Sequence, residues 1–193
     1  MSLPVVVMAG GRGTRFGKGE KPLAIVRGRS LLARVMDSVE AAGFKDIFVA
    51  VSPWTPGTTE RARRRGFQLI RTEGKGYVED LSWINNQIPR FISVVADIPY
   101  LPAAELRRFT EVAERATSGV TGLLPDSRRI SGPTPGLAWP EPVLPYGTCR
   151  VAGINRVDVS DPTPGHVFVF EDPWVGVSVT TEADLEWANL HAP

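Results

Sequence analysis

The feature that most constrains this chain is an unbroken apolar run near its start, followed at once by a glycine-rich turn. Val5–Ala9 contains three consecutive valines and no polar side chain. A continuous β-branched run of this kind is typical of a strand buried on both faces, as in a parallel sheet. Because the turn Gly10–Gly17 leaves from the carboxyl end of that strand, we expect an α/β fold that binds its ligand there.

The rest of the chain continues in an alternation of strands and helices. Ser30 is expected to cap a helix that runs to about Ala42 and ends at Gly43. Further helices are predicted at Thr58–Arg65, Tyr77–Ile88, Pro102 to about Ala116 and Ala183–Leu190. Further strands are predicted at Ile47–Val51, Phe67–Ile70, Phe91–Ala96, Val120–Leu124, Cys149–Asn155, Val167–Phe170 and Val175–Val179. This alternation predicts a layered α/β fold with a mostly parallel sheet.

The length of the chain and its proline content bear on domain organisation. A chain of 193 residues suits one domain, spanning 1–193, with a sizeable core. Residues 125–148 are rich in proline and glycine and interrupt the alternation. We interpret them as a loop or lid.

Composition excludes several functional classes. The formal net charge is +1, so no global basic field indicates a nucleic-acid partner. The lone cysteine, Cys149, cannot form an internal disulfide, which favours a structural thiol and a reducing compartment. The opening apolar run is too short for a signal peptide, and no run reaches the length of a membrane span. We therefore expect a cytoplasmic protein without a membrane span.

The turn after the first strand has the composition of a phosphate-binding loop. Gly10–Gly17 holds four glycines in eight residues, which lets backbone N–H groups approach an anion. Arg12, Arg15 and Lys21 add positive charge. The turn lacks the Gly-Lys-Ser/Thr of a Walker A motif, and Phe16 stands where a dinucleotide fingerprint needs its last glycine. The alternative is a flexible surface loop with solvated arginines.

The same residues resemble a known superfamily. Met8-Ala9-Gly10-Gly11-Arg12-Gly13-Thr14-Arg15-Phe16-Gly17, followed by Glu20-Lys21-Pro22-Leu23, is similar to the signature loop of nucleotidyltransferases of the sugar-nucleotide and molybdenum-cofactor guanylyltransferase type. The resemblance implies a three-layer α/β/α Rossmann-like nucleotidyltransferase fold. It also implies that the loop wraps a triphosphate, with Arg15 and Lys21 as catalytic cations. The nucleotide-binding residues that it implies in the loop are Ala9, Gly10, Gly11, Arg12, Gly13 and Thr14.

A second resemblance concerns the acceptor. Ser52-Pro53-Trp54-Thr55-Pro56, Gly74-Lys75-Gly76-Tyr77-Val78-Glu79-Asp80-Leu81 and Ala152-Gly153-Ile154-Asn155 are similar to archaeal-type GTP:adenosylcobinamide-phosphate guanylyltransferases of cobalamin assembly. This family implies GTP and adenosylcobinamide phosphate, or another phosphorylated acceptor, as partners, with Ser52 and Pro53 beside the nucleotide. The alternatives are a molybdenum-cofactor guanylyltransferase or cytidylyltransferase and a sugar-1-phosphate nucleotidyltransferase. A non-catalytic nucleotide sensor is the alternative from another class. The oligomeric state stays open, with a homodimer among the options.

The second of these segments suits a nucleoside. Backbone at Gly74 and Gly76 can lie against a flat ring, beside Tyr77. Asp80 could accept hydrogen bonds from guanine N1–H and N2–H₂, which adenine cannot donate there. The alternative is that Asp80 only complements the dipole of a helix that begins at Tyr77.

Two aspartates are candidates for holding Mg²⁺. Asp97 follows the strand Phe91–Ala96, where a carboxylate facing the phosphate loop suits a metal that also binds phosphate oxygens. The wider superfamily places a metal-binding aspartate there. The alternative for Asp97 is an Asx turn before Pro99. Asp172 is a second candidate ligand.

Three further residues are candidates for binding the acceptor. Gly153-Ile154-Asn155 is read as following a strand, where the glycine would let the acceptor phosphate approach and the Asn155 amide could donate a hydrogen bond to it. The alternative is a plain tight turn. Trp139, within the proline-rich stretch, offers a flat apolar face to a ring system.

Overall fold

A computed structural model describes residues 3–132, 137–158 and 164–193, and its centre is a seven-stranded sheet. The strands are β1 Val5–Met8, β4 Ile47–Val51, β5 Gln68–Arg71, β6 Arg90–Val95, β7 Gly119–Pro125, β8 Cys149–Asp158 and β9 Pro164–Val169, with a separate hairpin of β2 Ile25–Val26 and β3 Arg29–Ser30. The helices are α1 Leu31–Ala42, α2 Pro56–Arg64, α3 Tyr77–Asn85, α4 Ala103–Arg115 and α5 Glu182–Leu190. Short 3-10 turns occupy Lys21–Leu23, Asp126–Arg128 and Pro173–Gly176.

The sheet is mostly parallel, as the alternation of elements predicts. Its order is β5-β4-β1-β6-β8-β7-β9. Strands β5, β4, β1 and β6 run parallel to one another, and β9 is parallel to β7. Only β8 is reversed, because it pairs antiparallel with both β6 and β7. Strand β1 therefore lies inside the sheet with a partner on each side, which explains why its residues are all apolar.

Apolar residues of the sheet pack on both faces, so the predicted three-layer α/β/α fold is confirmed. Val5 and Val7 of β1 point into a large cluster shared with α1, α2 and α4. Val6 points the other way, into a cluster shared with Ile84 of α3. This division follows from the period of two in a strand, which sends successive side chains to opposite faces.

Local signals set the ends of the helices that were predicted best. The Ser30 hydroxyl accepts a hydrogen bond from the Ala33 N–H at 3.2 Å and caps α1, which ends at Gly43 with a φ of 98°. A capping box between Thr181 and Asp184 starts α5. Among the described residues, no helix is long and apolar enough to cross a membrane.

Two sequence predictions in the carboxyl-terminal half of the chain are wrong. Val175–Val179 is not a strand: Pro173–Gly176 forms a 3-10 turn, and Val179 donates its N–H to the Asp97 carbonyl instead of joining a ladder. Gly153 and Asn155 lie inside β8 and not after a strand. The register of β8 against β7 shifts here, and Gly153 has a φ of 77°, so this is a β-bulge within a continuous strand.

The proline-rich stretch 125–148 contains little regular structure in its described part. Its elements are the turn Asp126–Arg128 and two isolated bridges, Ala138 with Arg150 and Val143 with Gly147. Residues 133–136 lie outside the described residues. The stretch lies beside the start of β8, at the same edge of the sheet as the carboxyl end of β6. Its role as a lid stays a prediction.

Candidate active site

A pocket of about 380 Å³ opens at the carboxyl ends of β1 and β6. It collects most of the residues that the sequence indicates for nucleotide binding and catalysis. These are Ala9, Gly10, Gly11, Arg12, Gly13, Thr14, Arg15, Lys21, Gly74, Gly76, Tyr77, Asp80 and Asp97. Residues separated by up to 88 positions therefore meet at one edge of the sheet, where ligands of open α/β folds bind.

The glycine turn is fixed to the sheet at its first residue. A side chain at Gly10 would meet the Val51 carbonyl carbon and Thr72 Oγ1 at 3.2 Å, so the turn lies directly against β4. The buried Ser52 hydroxyl donates a hydrogen bond of 2.6 Å to the Gly10 carbonyl. Ser52 is thus a support beneath the turn and not part of the pocket wall. Its neighbour Pro53 is exposed and also lies outside the wall.

Phe16 anchors the middle of the turn. Its N–H donates to the Gly13 carbonyl at 2.9 Å, and Gly13 adopts a φ of 63° that closes the turn. The Phe16 side chain is buried among Val26, Leu31 and Val177. The residue that breaks the dinucleotide fingerprint in the sequence is therefore an apolar anchor of the glycine turn.

The pocket carries more positive than negative side chains. Lys21 forms an ion pair with Asp97, and both are about four-fifths buried. Arg12 stacks its guanidinium over the Trp54 ring, 4.3 Å from the centroid. Arg15 is exposed and makes no hydrogen bond or ion pair with any residue that the structure describes. A group of cations held around exposed backbone amides is suited to a polyphosphate.

A second wall is built from the segment before α3. The Gly74 N–H donates to Asp80 Oδ1 at 3.1 Å, and Gly74 has a φ of 65°. A side chain there would come within 2.5 Å of Trp54 Cδ1 and 2.8 Å of Ser52 Cβ. Asp80 is buried, and its other oxygen accepts no hydrogen bond from the described residues. One carboxylate oxygen thus fixes the wall, and the other has no partner among the described residues, on a side chain that lines the pocket.

Tyr77 connects this wall to β6 and β8. Its hydroxyl lies 3.3 Å from Ser93 Oγ and accepts a 3.1 Å hydrogen bond from the Asn155 amide. Burial of the hydroxyl raises the pKa of Tyr77, and the negative charge of Asp97 adds to the rise, against the two hydrogen bonds. Asn155 therefore reaches the pocket wall through Tyr77, although the sequence assigned it to the acceptor.

The remaining predicted acceptor and metal residues lie outside the wall. Gly153 lies behind it, where a side chain would come within 2.5 Å of Val95 Cγ2. Trp139 donates its backbone N–H to the Cys149 carbonyl at 2.9 Å and does not line the pocket. Asp172 accepts a 2.9 Å hydrogen bond from the Trp174 N–H, which caps the 3-10 turn Pro173–Gly176, and it does not line the pocket either.

The donor set suits a metal that relies on its substrate for most ligands. Across the described ranges, no group of three His, Cys, Asp or Glu side chains converges on one point. Asp97 lines the same pocket as the glycine turn, and Mg²⁺ commonly uses only one or two protein carboxylates together with phosphate oxygens and water. Asp97 therefore fits a Mg²⁺ that enters with a nucleotide.

Two polar residues of the wall, Lys75 and Thr180, were not assigned a role from the sequence. Lys75 follows Gly74 and adds a cation that pairs with Glu73. Thr180 reaches the pocket because Val179 donates its N–H to the Asp97 carbonyl at 2.8 Å. The run of valines that precedes Thr180 favoured a strand, so no local signal indicated that this segment crosses the end of β6.

Comparison with known proteins agrees with this geometry. Residues 5–171 match the family of MobA-like NTP transferase domains. The adenosylcobinamide-phosphate guanylyltransferase of Methanocaldococcus jannaschii is 29% identical over 198 aligned residues, covering 97% of this chain and 96% of that protein. A molybdenum cofactor guanylyltransferase of Rhodopseudomonas palustris strain BisB5 is 34% identical over 136 residues, covering 60% and 61%.

A solved structure gives the same fold. CMP:2-keto-3-deoxy-manno-octonic acid synthetase, complexed with CTP, superposes with a TM-score of 0.70 at 14% identity and covers 98% of both chains. At this identity the likeness establishes the fold alone. The family match and the geometry of the pocket therefore agree with a nucleotidyltransferase, and the solved structure adds agreement on the fold.

Proposed function

We propose that this chain, which belongs to the MobA-like NTP transferase family, transfers GMP from GTP to adenosylcobinamide phosphate and releases pyrophosphate. The observation that carries the proposal is the pocket at the ends of β1 and β6. There a glycine turn, three cations of the signature loop and the Asp97 carboxylate converge. The relative that aligns over nearly the whole chain supports adenosylcobinamide phosphate as the acceptor.

The proposed reaction is an in-line displacement at the α-phosphorus of GTP. An oxygen of the acceptor phosphate forms a bond to this phosphorus, and the bond to the bridging oxygen of pyrophosphate breaks. The attacking phosphate is already an anion, so no strong general base is needed, and catalysis depends on positioning and charge neutralisation. In this proposal Arg15 and Lys21 bind the triphosphate and stabilise the negative charge of the leaving pyrophosphate.

Lys21 and Asp97 have separate electrostatic roles in this proposal. Their ion pair keeps the Lys21 ammonium at the floor of the pocket and holds the Asp97 carboxylate towards the loop. Asp97 would hold Mg²⁺ that arrives with the nucleotide, and such an ion would neutralise charge on the phosphate oxygens. Asp172 fixes the 3-10 turn instead, so we assign it no metal.

Asp80 is the proposed selector for guanine. Its Oδ1 is held by the Gly74 N–H, which orients the carboxylate, and its second oxygen lacks a partner in the described structure. Guanine can donate two hydrogen bonds to a carboxylate through N1–H and N2–H₂. Adenine offers no such donors, so it would leave the second oxygen of the buried Asp80 unpaired, and unpaired buried groups discriminate strongly between ligands.

The acceptor is proposed to enter from the β8 side, between Tyr77 and the stretch 137–148. Asn155 supports Tyr77 there, and the bulge at Gly153 lets β8 pass close to Val95. Exposed apolar side chains at Leu137 and Leu144 lie on the same stretch and offer area to a large ring system. Because GTP is supplied in the cytoplasm, we place the reaction there.

Two measurements test the proposal. A thermal-shift panel of GTP, ATP, CTP and UTP with Mg²⁺ reports which base is bound, and we expect the largest rise in melting temperature with GTP. Pyrophosphate release is then followed with GTP and each acceptor. Release with molybdopterin or a sugar 1-phosphate, but not with adenosylcobinamide phosphate, would replace the proposed acceptor. GTP binding without pyrophosphate from any acceptor would indicate a nucleotide sensor.

A further inference from the structure

Glu20 lies at the end of the glycine turn, and its side chain leaves the pocket to bind a helix. Oε1 accepts a 2.7 Å hydrogen bond from the Gly57 N–H, and Oε2 accepts a 2.6 Å hydrogen bond from the Thr58 N–H. Both donors lie in the first turn of α2, Pro56–Arg64. Glu20 is not part of the pocket wall, and no role was assigned to it from the sequence.

This carboxylate takes the place of a local helix cap. Thr55 precedes α2, but its hydroxyl accepts from the Ser52 N–H and makes no capping hydrogen bond to the helix. The first N–H groups of a helix need acceptors, and a carboxylate there also complements the helix dipole. Glu20 supplies both N–H groups with a charged acceptor from 37 residues earlier in the chain.

Because Gly57 has no side chain, the Glu20 carboxylate can approach the start of α2 closely. A side chain at Gly57 would stand 3.0 Å from Glu20 Oε1 and 3.0 Å from Leu23 Cδ1, tighter than an ordinary contact. The fit between α2 and residues 20–23 therefore leaves no room for a methyl group without a shift of the Glu20 carboxylate. The two hydrogen bonds that Glu20 accepts, of 2.7 and 2.6 Å, are charge-assisted, and such bonds are among the stronger ones in proteins.

The contact of Glu20 with α2 also affects the next residue, Lys21. Lys21 begins a 3-10 turn that is closed by hydrogen bonds from the Leu23 N–H to the Glu20 carbonyl and from the Ala24 N–H to the Lys21 carbonyl. The position of the Lys21 backbone is therefore fixed by the 3-10 turn that it begins and by the contact of Glu20 with α2. From this point its side chain reaches Asp97.

We propose that Glu20 is a positioning residue, which holds Lys21 in the place where it contacts the nucleotide phosphates. The proposal rests on the proposed function of Lys21. The other supports of the turn act elsewhere, since Ser52 holds Gly10 and Phe16 is buried beside Leu31. Apart from the Lys21–Asp97 pair itself, Glu20 supplies the side-chain hydrogen bonds that tie residues 20–23 to the rest of the fold among the described residues.

The first test compares Glu20→Gln with Glu60→Gln. Both variants remove one negative charge near α2, but Glu60 is a surface residue whose only ion-pair partners in the described part of the chain are Arg63 and Arg64. Measured well below the melting temperature, Glu20→Gln is expected to lower kcat about 10- to 100-fold, since a displacement of about 1 Å can cost that much. Glu60→Gln should keep normal kcat. A melting temperature that falls while kcat and KM stay normal would overturn the proposal and leave Glu20 as a plain cap.

The second test asks whether Glu20 acts through Lys21. If it does, adding Glu20→Gln to Lys21→Ala should lower kcat little further, because the group being positioned is already gone. Losses that multiply in the double variant would overturn the positioning role. Near-normal turnover of Lys21→Ala alone would instead overturn the proposed function, so the two failures are distinguishable.

A third variant, Gly57→Ala, disturbs the contact between Glu20 and α2 without changing the charge of any side chain. Gly57→Ala pushes the Glu20 carboxylate away, while alanine is a better helix former than glycine. We expect a smaller loss of kcat with no loss in melting temperature, a combination that a purely structural role does not produce. Native kcat in this variant would count against the proposal even if Glu20→Gln failed to fold.

Discussion

Gly74→Ala is expected to damage both stability and nucleotide binding, and the structure gives the size of each effect. Gly74 has a φ of 65°, and a side chain there would meet Trp54 Cδ1 at 2.5 Å and Ser52 Cβ at 2.8 Å. The left-handed conformation costs an alanine about 1–2 kcal/mol. Relief of the collisions requires shifts of about 1 Å and adds about 1–3 kcal/mol, the usual cost of overpacking.

The matched control is Gly66→Ala. Gly66 has a φ of 81° but no heavy atom within 4 Å of the added carbon, and it lies outside the pocket. Both variants carry the conformational cost, and only Gly74→Ala carries the collisions. The melting temperature of a chain of this size falls by about 2–4 °C per kcal/mol, so Gly74→Ala should melt about 2–12 °C below the control.

The nucleotide effect follows from the same collisions. The Gly74 N–H holds Asp80 Oδ1, so a shift of Gly74 moves the proposed guanine acceptor. A hydrogen bond to a charged group is worth about 1.5–3 kcal/mol, so GTP should bind about 10- to 100-fold more weakly to Gly74→Ala by calorimetric titration. Equal melting temperatures and equal GTP affinities in Gly74→Ala and Gly66→Ala would refute the packing argument.

Three further variants test the site. Lys21→Ala should lower the rate of pyrophosphate release by orders of magnitude while circular dichroism shows a native fold, because the Lys21–Asp97 pair lies at the pocket and not in the core. Asp80→Asn should reduce the preference for GTP over ATP in the thermal-shift panel, and an unchanged preference would remove Asp80 from base selection. Tyr77→Phe should change the alkaline limit of stability. Burial raises the pKa of Tyr77, so the folded state holds this proton more tightly, and its contribution is lost as pH rises beyond the ordinary tyrosine pKa of about 10. Wild type should therefore lose stability more steeply than Tyr77→Phe above that pH in urea melts, and parallel curves would contradict the assignment.

Local sequence signals determined much of the fold. The run Val5–Ala9 is apolar on both faces of a strand, which favours burial of both faces. The structure agrees, because β1 lies inside the sheet with a partner strand on either side. Ser30 and Gly43 mark the ends of α1 because capping and a left-handed backbone depend on neighbouring residues. The glycine turn and Asp97 follow parallel strands, so their meeting at one edge could be predicted from strand direction alone.

Only the tertiary structure decided which distant groups meet. Glu20 bonds to α2 across 37 residues, and Asn155 bonds to Tyr77 across 78, with no periodic signal in either place. The valines before Thr180 suit a buried strand and a buried extended segment equally, and the available partner at the end of β6 selected the latter. Hydrophobic pattern and capping report what a residue needs from its neighbours in sequence, whereas a hydrogen-bond partner is chosen by distance in space, which the folded chain alone defines.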